Sequence, residues 1–563
     1  MNSTNPFRFR LGTLALACTL CLPAAAQDIS SLPDIGSSAS ELISPAQEQA
    51  YGRQLVGEMR RLDWLLEDPL LEGWLDGMGH RLAASSERPD QRYTFFLIRS
   101  RDINAFATLG GYVGTNAGLV LTAESEDEVA AVLAHEITHV TQRHVVRAVE
   151  RAQKDTIPIA LAMLGAVIAA QAAGGDSDAT QAAIASGIAL MQQRQINHTR
   201  ASEHEADRIG IQILGRTGYD PSAMAGFFGR MQRAMRSQGE GPPEFLRSHP
   251  VTTTRIAEAK ERAAKMLSGG YACVMNPDGS TQQCSWTQVE TEAGFSVANQ
   301  PTVHPAFPFD LRDALQASIS QPVRMFDWAR ERMRVLSAAS PADAVAEYQR
   351  MQAGGRLLTD PQRYGLALAL ADVGRANEAL IALSDLSERH PRLFWLDLAS
   401  AESQHRGSNW EAATALYQSL LERHPLNRAV ALSYAQALAE RGDTASGRLA
   451  QEVLRPLLAE GAYDAVLQNT FARASETAGD IARAGEAYAE DAFLSGRAED
   501  ALNQLVRLKE RDDLDYVQRS RIDARIAAIT PIVLELRAEG IRAGGELRRQ
   551  AAPIRNAWRA GPI

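Results

Sequence analysis

Five consecutive residues, His135, Glu136, Ile137, Thr138 and His139, form an HExxH pattern, in which two potential metal ligands flank a potential general base. In a helix, residues four apart lie on one face, so both imidazoles can bind the same ion. Neutral imidazole is a good zinc ligand, and the glutamate is placed to take a proton from an attacking water. The pattern therefore predicts a hydrolytic centre with one Zn²⁺ per chain and Glu136 as its catalytic base.

The residues around this motif favour the helix that the pattern requires. Val132, Leu133 and Ile137 give that helix an apolar side. Ser125 and Glu128 fit a capping box at its start. A chain with 11 histidines in 563 residues would contain the pattern by chance in roughly one such sequence in a hundred. Coincidence is therefore a poor explanation of the motif.

A catalytic zinc usually has three protein ligands, so the motif needs a further ligand from elsewhere in the chain. The segment ASEHEADRIG offers two candidates, Glu203 and Glu205. Glu203 is the predicted ligand because Asp207, four residues further on, then shares its helical face and can hydrogen bond to a metal-binding imidazole. On the same helix, His204 and Glu205 are expected to face away from the metal.

Two further histidines lie close to these motifs. His249 precedes Pro250 in SHPVTTTRI, a common way for a chain to enter a helix. In a zinc enzyme it can also be a catalytic residue that binds the developing oxyanion, or it can occupy the fourth metal position and keep the resting enzyme inactive. His144 lies nine residues after His135, on the opposite face of a continuous helix, and is not a predicted ligand.

The segment NAFATLGGYVGTNAGLV precedes the motif and has the residue types of a strand interrupted by paired glycines. A strand beside the metal-motif helix can bind a substrate backbone by strand addition. Gly111, Tyr112 and Val113 are the residues predicted to do so. An ordinary core strand fits the same residues equally well.

Length and composition indicate an exported protein with at least two domains. A chain of 563 residues exceeds one comfortable core, and its 45% hydrophobic and 22% charged content is ordinary for a globular protein. The net charge of −10 argues against a general nucleic-acid binder. Arg8 and Arg10 precede the apolar run Leu11–Leu22, so residues 1–26 are predicted to be a signal peptide cleaved near Ala26.

Removal of that segment leaves two cysteines, Cys273 and Cys284. The turn-forming residues Asn276 and Gly279 lie between them. In an exported protein this arrangement predicts a hairpin closed by a disulfide, with a pair of free thiols as the alternative.

Two alanine-rich apolar segments, 157–173 and 180–191, follow the motif. Neither reaches the roughly 20 residues that a membrane-spanning helix needs. A helical hairpin over 157–191 is therefore predicted, either packed on the protein or resting on a membrane surface.

The second half of the chain carries an internal repeat. His390 and His424, each followed by proline, recur 34 residues apart, which is the period of tetratricopeptide repeats. Such helix pairs stack into an α-solenoid that binds polypeptides, with a plain helical bundle as the alternative. The predicted divisions of the chain are a signal peptide at 1–26, a metal-binding domain at 27–284, a proline-containing linker at 285–322, repeats at 323–540 and a tail at 541–563.

Four stretches together resemble one known family. NAFATLGGYVGTNAGLV, SEDEVAAVLAHEITHVTQRH, EHEAD and SHPVTTTRI look like the zinc metallopeptidases related to HtpX and the CAAX prenyl protease. The resemblance implies an α+β, mostly α, gluzincin-type domain in which a small sheet lies beside the HExxH helix, followed by an α-solenoid. It also implies zinc bound by His135, His139 and Glu203, with Asp207 and His249 beside the metal.

The repeats and the export signal resemble the soluble periplasmic branch of that family, whose members act in quality control of outer-membrane proteins. The resemblance implies a zinc-dependent endopeptidase that degrades misfolded or stalled substrates and also acts as a chaperone. Its expected partners are unfolded outer-membrane proteins, the outer-membrane assembly machinery bound through the repeats, and a membrane surface in peripheral contact, without nucleic acid. The alternative is a repeat-based adaptor with a latent zinc domain, which the intact Glu136 disfavours.

Overall fold

The computed structural model describes residues 44–151, 199–237, 245, 249–268, 271–275, 281–286, 325–391, 393–459 and 464–538. The predicted signal peptide, the apolar segments at 157–191, most of the predicted linker and the C-terminal tail lie outside these ranges. Within them, a small sheet lies in the first part of the chain and helices make up most of the rest. The predicted fold class, α+β and mostly α, is therefore confirmed.

The elements that surround the HExxH motif come first in the chain. They are α1 (Pro45–Arg61), α2 (Pro69–Ala84), β1 (Thr94–Ile98), β2 (Ala105–Thr108), β3 (Tyr112–Asn116), α3 (Ala117–Thr122) and α4 (Glu126–Thr141). Residues 144–151 then form α5, and residues 199–217 form α6. The elements that follow are α7 (Ala223–Ser237), α8 (Thr253–Ser268), β4 (Tyr271–Met275) and β5 (Thr281–Trp286).

The first three strands form one sheet with β3 at its centre. β1 pairs with β3 in parallel and β2 pairs with it antiparallel. Tyr112 and Val113 therefore pair on both sides, and Gly111 lies in the buried turn before them. The prediction of strand addition at these three residues is wrong, because the ladder positions of β3 are already filled. Among the described strands, β2 is the one beside α4 with an unpaired edge.

The metal-motif helix α4 is fixed at its start and along its length. Ser125 caps it by accepting a hydrogen bond from the Glu128 amide at 3.4 Å. The Glu128 carboxylate does not complete the predicted capping box, since it accepts from the Glu124 amide at 2.8 Å and from Arg230 at 2.6 Å. Along its length α4 packs against α2, β2 and α7, and most of its side chains are buried. The motif therefore lies on a helix that cannot shift without repacking the core.

The C-terminal part of the described chain consists of helices that pack against their neighbours in sequence. They are α9 (Met325–Leu336), α10 (Pro341–Gln352), α11 (Asp360–Asp372), α12 (Ala376–Arg389), α13 (Phe394–Arg406), α14 (Trp410–Arg423), α15 (Arg428–Glu440), α16 (Thr444–Leu458), α17 (Ala465–Thr477), α18 (Ile481–Leu494), α19 (Ala498–Lys509) and α20 (Tyr516–Ala538). His390 and His424 are the residues at which α12 and α14 end, so the sequence repeat marks equivalent helix ends. Within the ranges given above, no helix carries an apolar stretch that could cross a bilayer.

Cys273 and Cys284 lie in the β4–β5 hairpin. The strands are antiparallel, and Cys273 lies directly opposite Cys284. This backbone register is the one that the predicted disulfide requires. The disulfide itself stays a prediction.

A buried ion pair joins the helical region to the domain that carries the motif. Arg332 of α9 donates to both carboxylate oxygens of Asp68 at 2.7 to 2.9 Å, and to Glu402 of α13 at 3.2 and 3.3 Å. Asp68 also caps α2 by accepting a hydrogen bond from the Leu71 amide at 3.1 Å. Because α2 packs against α4, this contact connects the helical region to the element that carries the metal motif.

Replacing Arg332 with alanine is expected to lower the free energy of unfolding by about 3 to 5 kcal/mol, because Asp68 and Glu402 would stay buried without their cation. Urea unfolding followed by circular dichroism measures the change. The control is Arg375→Ala, which removes an exposed pair with Glu378 and should leave the unfolding midpoint unchanged. Equal midpoints for both variants would show that the buried pair does not stabilise the fold.

Candidate metal centre

Helices α4 and α6 bring the three predicted ligands together. His135 and His139 lie on one face of α4, with their Nε2 atoms 3.0 Å apart. Gly210 allows α6 to approach this helix closely, since a Cβ atom there would lie 3.3 Å from the backbone nitrogen of His135. Glu203 then places Oε2 at 3.3 Å from His135 Nε2 and Oε1 at 3.5 Å from His139 Nε2. Glu203, rather than Glu205, is the carboxylate at this point.

A fourth side chain enters the cluster from just before α8. Nδ1 of His249 lies 3.0 Å from Glu203 Oε1 and 3.4 Å from His135 Nε2. Its ring stacks on Phe245, with 4.7 Å between the ring centroids. One potential ligand atom from each of His135, His139, Glu203 and His249 therefore lies within 4.8 Å of the other three.

This donor set fits a metal ion. Imidazole nitrogens and a carboxylate oxygen are the ligands that zinc takes in proteins, usually four around one ion. His135, Glu203 and His249 are buried and His139 is partly buried, so few water molecules compete for the donors. Glu136 lies beside the cluster, and its Oε1 accepts no hydrogen bond from the described residues. The arrangement provides a metal-binding site with a free carboxylate oxygen next to it.

Asp207 and Arg255 hold the metal-binding side chains in place. Asp207 Oδ1 lies 3.0 Å from Nδ1 of His135, as expected from the sequence. Arg255 forms a bidentate pair with Asp207, with both nitrogen to oxygen distances at 2.7 Å, and places Nη1 at 2.9 Å from Glu203 Oε2. Burial raises the pKa of Asp207, but the hydrogen bonds from Arg255 and His135 outweigh it and hold the pKa below its usual value. Asp207 therefore stays ionised and orients the His135 ring.

Arg255 is a site residue to which the sequence reasoning gave no role. Its side chain is buried and contacts both carboxylates of α6 that face the cluster. The available signal was electrostatic, since two buried carboxylates on one helical face require a nearby cation. Nothing in the spacing of the motifs identifies which arginine supplies it.

The electrostatic balance of the cluster favours a bound cation. Burial lowers the pKa of His135, but hydrogen bonds to Asp207 and Glu203 and their negative charges raise it to about 10. The negative charges of Asp207 and Glu203 therefore favour a positive charge at this point, either a proton on His135 or a metal ion in its place. Burial also raises the pKa of Glu136, and its neighbours His249 and His135 offset only part of this effect. A carboxylate with a raised pKa is a stronger base.

The edge strand β2 lies against the same cluster. The carbonyl oxygen of Asn104 accepts a hydrogen bond from the Asn116 amide at 3.0 Å, which fixes the phase of the antiparallel ladder. Along an antiparallel ladder, residue pairs that exchange hydrogen bonds alternate with pairs that do not. The backbone N–H and C=O groups of Ala105 and Ala107 therefore point away from β3. The Ala107 amide lies close enough to the Glu136 carboxylate to lower its pKa, although burial raises that pKa by more. An unpaired strand edge therefore runs directly past the potential base.

His144 does not lie where a continuous helix would place it. α4 ends at Thr141, and Arg143 adopts a left-handed conformation with φ of 51°, so α5 starts in a new direction. This turn brings His144 Nδ1 to 2.8 Å from Nδ1 of His139. His144 is not one of the four potential ligands, as predicted, but it contacts one of them. Burial lowers its pKa, so it is neutral at neutral pH.

The two residues expected to face away from the metal have partners of their own. Glu205 Oε2 lies 3.2 Å from His144 Nε2 and 3.3 Å from Arg147 Nη1. His204 Nδ1 lies 3.0 Å from Glu258 Oε2. Glu205 is therefore connected to the metal ligand His139 through one side chain, that of His144. His204 has no such connection among these contacts.

The chain is similar in sequence to known peptidases. Residues 69–263 match the model of peptidase family M48. The beta-barrel assembly-enhancing protease of Escherichia coli strain K12 is 29% identical over 519 residues, which cover 92% of this chain and 95% of that protein. The protein of the same name from Yersinia pestis is 35% identical over 328 residues, 56% of this chain and 65% of that protein. The mitochondrial metalloendopeptidase OMA1 of Schizosaccharomyces pombe is 29% identical over 181 residues, 32% of this chain and 50% of that protein.

Replacing Glu203 with glutamine is expected to remove most of the bound metal after dialysis, because the cluster loses its anionic ligand. The measurement is metal content by elemental analysis of the purified chain. The control is His204→Gln on the same helix, whose side chain pairs with Glu258 outside the cluster, and it should keep the metal content of the wild type. Full metal content in the Glu203 variant would contradict its assignment as a ligand.

Proposed function

We propose that this chain, whose residues 69–263 match the model of peptidase family M48, is a zinc metalloendopeptidase of the periplasm that acts on outer-membrane proteins. The observation that carries the proposal is the cluster of His135, His139, Glu203 and His249 beside Glu136, whose Oε1 accepts no hydrogen bond from the described residues. A metal-binding cluster without further features would be consistent with a purely structural role for the metal. The adjacent carboxylate, the free strand edge and the family support hydrolysis of a peptide bond.

The side chains of the cluster divide the catalytic work. Zinc, when bound, supplies a Lewis acid that polarises the scissile carbonyl and lowers the pKa of a water molecule towards about 7. Glu136 accepts the proton of the attacking water and later returns it to the leaving amine. His135, His139 and Glu203 would hold the ion, and Asp207 would orient the ring of His135.

We place the substrate backbone on the free edge of β2. The outward backbone groups of Ala105 and Ala107 can pair with an extended peptide as an additional antiparallel strand. Such a strand would pass beside Glu136, because β2 packs against α4 and the Ala107 amide is close enough to that carboxylate to lower its pKa. Binding through backbone groups suits an enzyme that cleaves unfolded chains of varied sequence.

His249 is assigned to the fourth metal position in the conformation described. Its Nδ1 atom is among the mutually close ligand atoms, and its Nε2 lies 3.6 Å from Glu136 Oε1. A side chain in this place occupies the position that the attacking water needs. Phe245 links it to the strand edge, because the Phe245 amide donates to the Ile103 carbonyl oxygen at 3.3 Å. His249 in this position would therefore keep the resting enzyme inactive.

The helical region and the names of the relatives support the remaining parts of the proposal. The relatives from Escherichia coli and Yersinia pestis are named for enhancing beta-barrel assembly. We extend this role to the present chain, with unfolded or misassembled outer-membrane proteins as substrates. The 34-residue helix pairs would be tetratricopeptide repeats that bind these chains and the assembly machinery. Residues 1–26 would direct the protein to the periplasm, where the Cys273 and Cys284 disulfide can form.

Replacing Glu136 with glutamine is expected to lower kcat for casein cleavage by about 100-fold to 10,000-fold, because the general base is lost. Zinc content should stay at one ion per chain, since Glu136 is not a ligand. The same variant should still capture an unfolded outer-membrane porin in a pull-down, because the helical region is intact. Equal cleavage by wild type and variant would refute the catalytic assignment, and absence of cleavage by zinc-loaded wild type would favour the adaptor alternative.

Replacing His249 with alanine is expected to raise kcat several-fold on casein, because the fourth metal position becomes available to water. The measurement compares initial rates at equal zinc content. Asn104→Ala, near the same cleft but without a contact to the metal cluster, serves as a control for general loosening of the site. A loss of activity in the His249 variant would instead assign it to oxyanion binding.

A further inference from the structure

We propose that His144 and Glu205 position the metal ligand His139, through a chain of hydrogen bonds that we call the His144 relay. The proposal rests on the metal-binding function proposed for the cluster. It assigns a role to one histidine and one carboxylate that the predicted ligand set does not use.

The geometry of the relay is continuous from the metal cluster outward. Nε2 of His139 faces the cluster, 3.0 Å from His135 Nε2. Its other nitrogen, Nδ1, lies 2.8 Å from Nδ1 of His144. Nε2 of His144 then lies 3.2 Å from Glu205 Oε2, which Arg147 Nη1 approaches to 3.3 Å. His144 is buried, so its ring contacts protein rather than water.

Metal binding fixes the direction of every hydrogen bond in this chain. A metal at Nε2 of His139 requires a lone pair there, so the proton of the neutral ring must be on Nδ1. That N–H donates to Nδ1 of His144, which must then carry its own proton on Nε2. The Nε2–H of His144 donates to Glu205, whose ionised carboxylate can only accept. One arrangement of protons therefore satisfies the whole relay.

The two histidines of the motif are supported in parallel ways. Nδ1 of His135 lies 3.0 Å from Oδ1 of Asp207, which Arg255 holds. His139 reaches its carboxylate, Glu205, through His144, and Arg147 takes the place of Arg255. Asp207 and Glu205 lie on the same helix, α6, which also carries Glu203. Helix α6 thus supplies one potential metal ligand, Glu203, and one further carboxylate for each imidazole: Asp207 for His135 and Glu205 for His139.

The expected effect of the relay is on metal affinity. A hydrogen bond from the distal ring nitrogen of a metal-binding histidine fixes its tautomer and orientation, and its loss typically weakens metal binding by about 10-fold to 100-fold. His144 is therefore a positioning residue, since it contacts the ligand His139 but is not itself one of the four potential ligands. Loss of His144 should therefore lower the zinc affinity, which can be measured without any assay of catalytic activity.

The test compares His144→Phe with His144→Asn in the full mature chain. Phenylalanine keeps a buried aromatic ring but removes the acceptor for His139, whereas asparagine can place Oδ1 close to the position of Nδ1. Zinc affinity is measured by competition with a chromophoric chelator, and the visible spectrum of the Co²⁺-substituted chain reports the geometry of the ligands. Thermal unfolding of the metal-free proteins shows whether either substitution damages the fold.

We expect the phenylalanine variant to bind zinc about 10-fold to 100-fold more weakly with an altered Co²⁺ spectrum, and the asparagine variant to stay close to wild type. Wild-type zinc affinity in the phenylalanine variant would overturn the relay. Equal weakening in both variants would also overturn it, because the acceptor would then be irrelevant. Failure of the wild type to bind zinc would instead refute the metal site itself, which distinguishes the two proposals.

Discussion

Burial of several charged groups at one point is the constraint on which the rest of this structure depends. Glu136, Glu203 and Asp207 lie together in the interior with three imidazoles. Taking carboxylates out of water is costly unless each is paired with a cation or hydrogen bonded. Arg255 contacts Asp207 and Glu203, but not the free oxygen of Glu136. A divalent cation bound among these donors would balance the negative charge that Arg255 does not neutralise.

Such a cluster needs rigid supports, and two helices provide them. α4 carries both imidazoles and is packed on several sides, so their spacing is set by the helix itself. α6 presents Glu203 and Asp207 on one face, while Glu205, two residues from each, points to another side. α5 lies on that other side, which is why the turn at Arg143 matters for the site. The short connection between α4 and α5 therefore extends the support of the metal centre beyond α4.

The predictions from sequence were accurate where one periodic element determined the geometry. The spacing of the HExxH motif and of Glu203 with Asp207 depends only on helical periodicity, and the structure brings these residues together. The strand prediction was wrong because a period of two cannot distinguish a central strand from an edge strand. The contact of His144 was missed because a left-handed residue, Arg143, broke the assumed helix. Arg255 was missed because its role depends on charges brought together only by folding.

The helical region is built into the domain that carries the metal site. Two arginines from different helices of the region form ion pairs with α2. Arg332 pairs with the N-cap residue Asp68, and Arg428 pairs with Glu72 in the first turn. Along its length α2 packs against α4. Loss of Arg332 and Arg428 from these positions would leave Asp68 and Glu72 without these cations at the start of α2. Because α2 packs against α4, a single helix connects both ion pairs of the helical region with the element that carries His135 and His139.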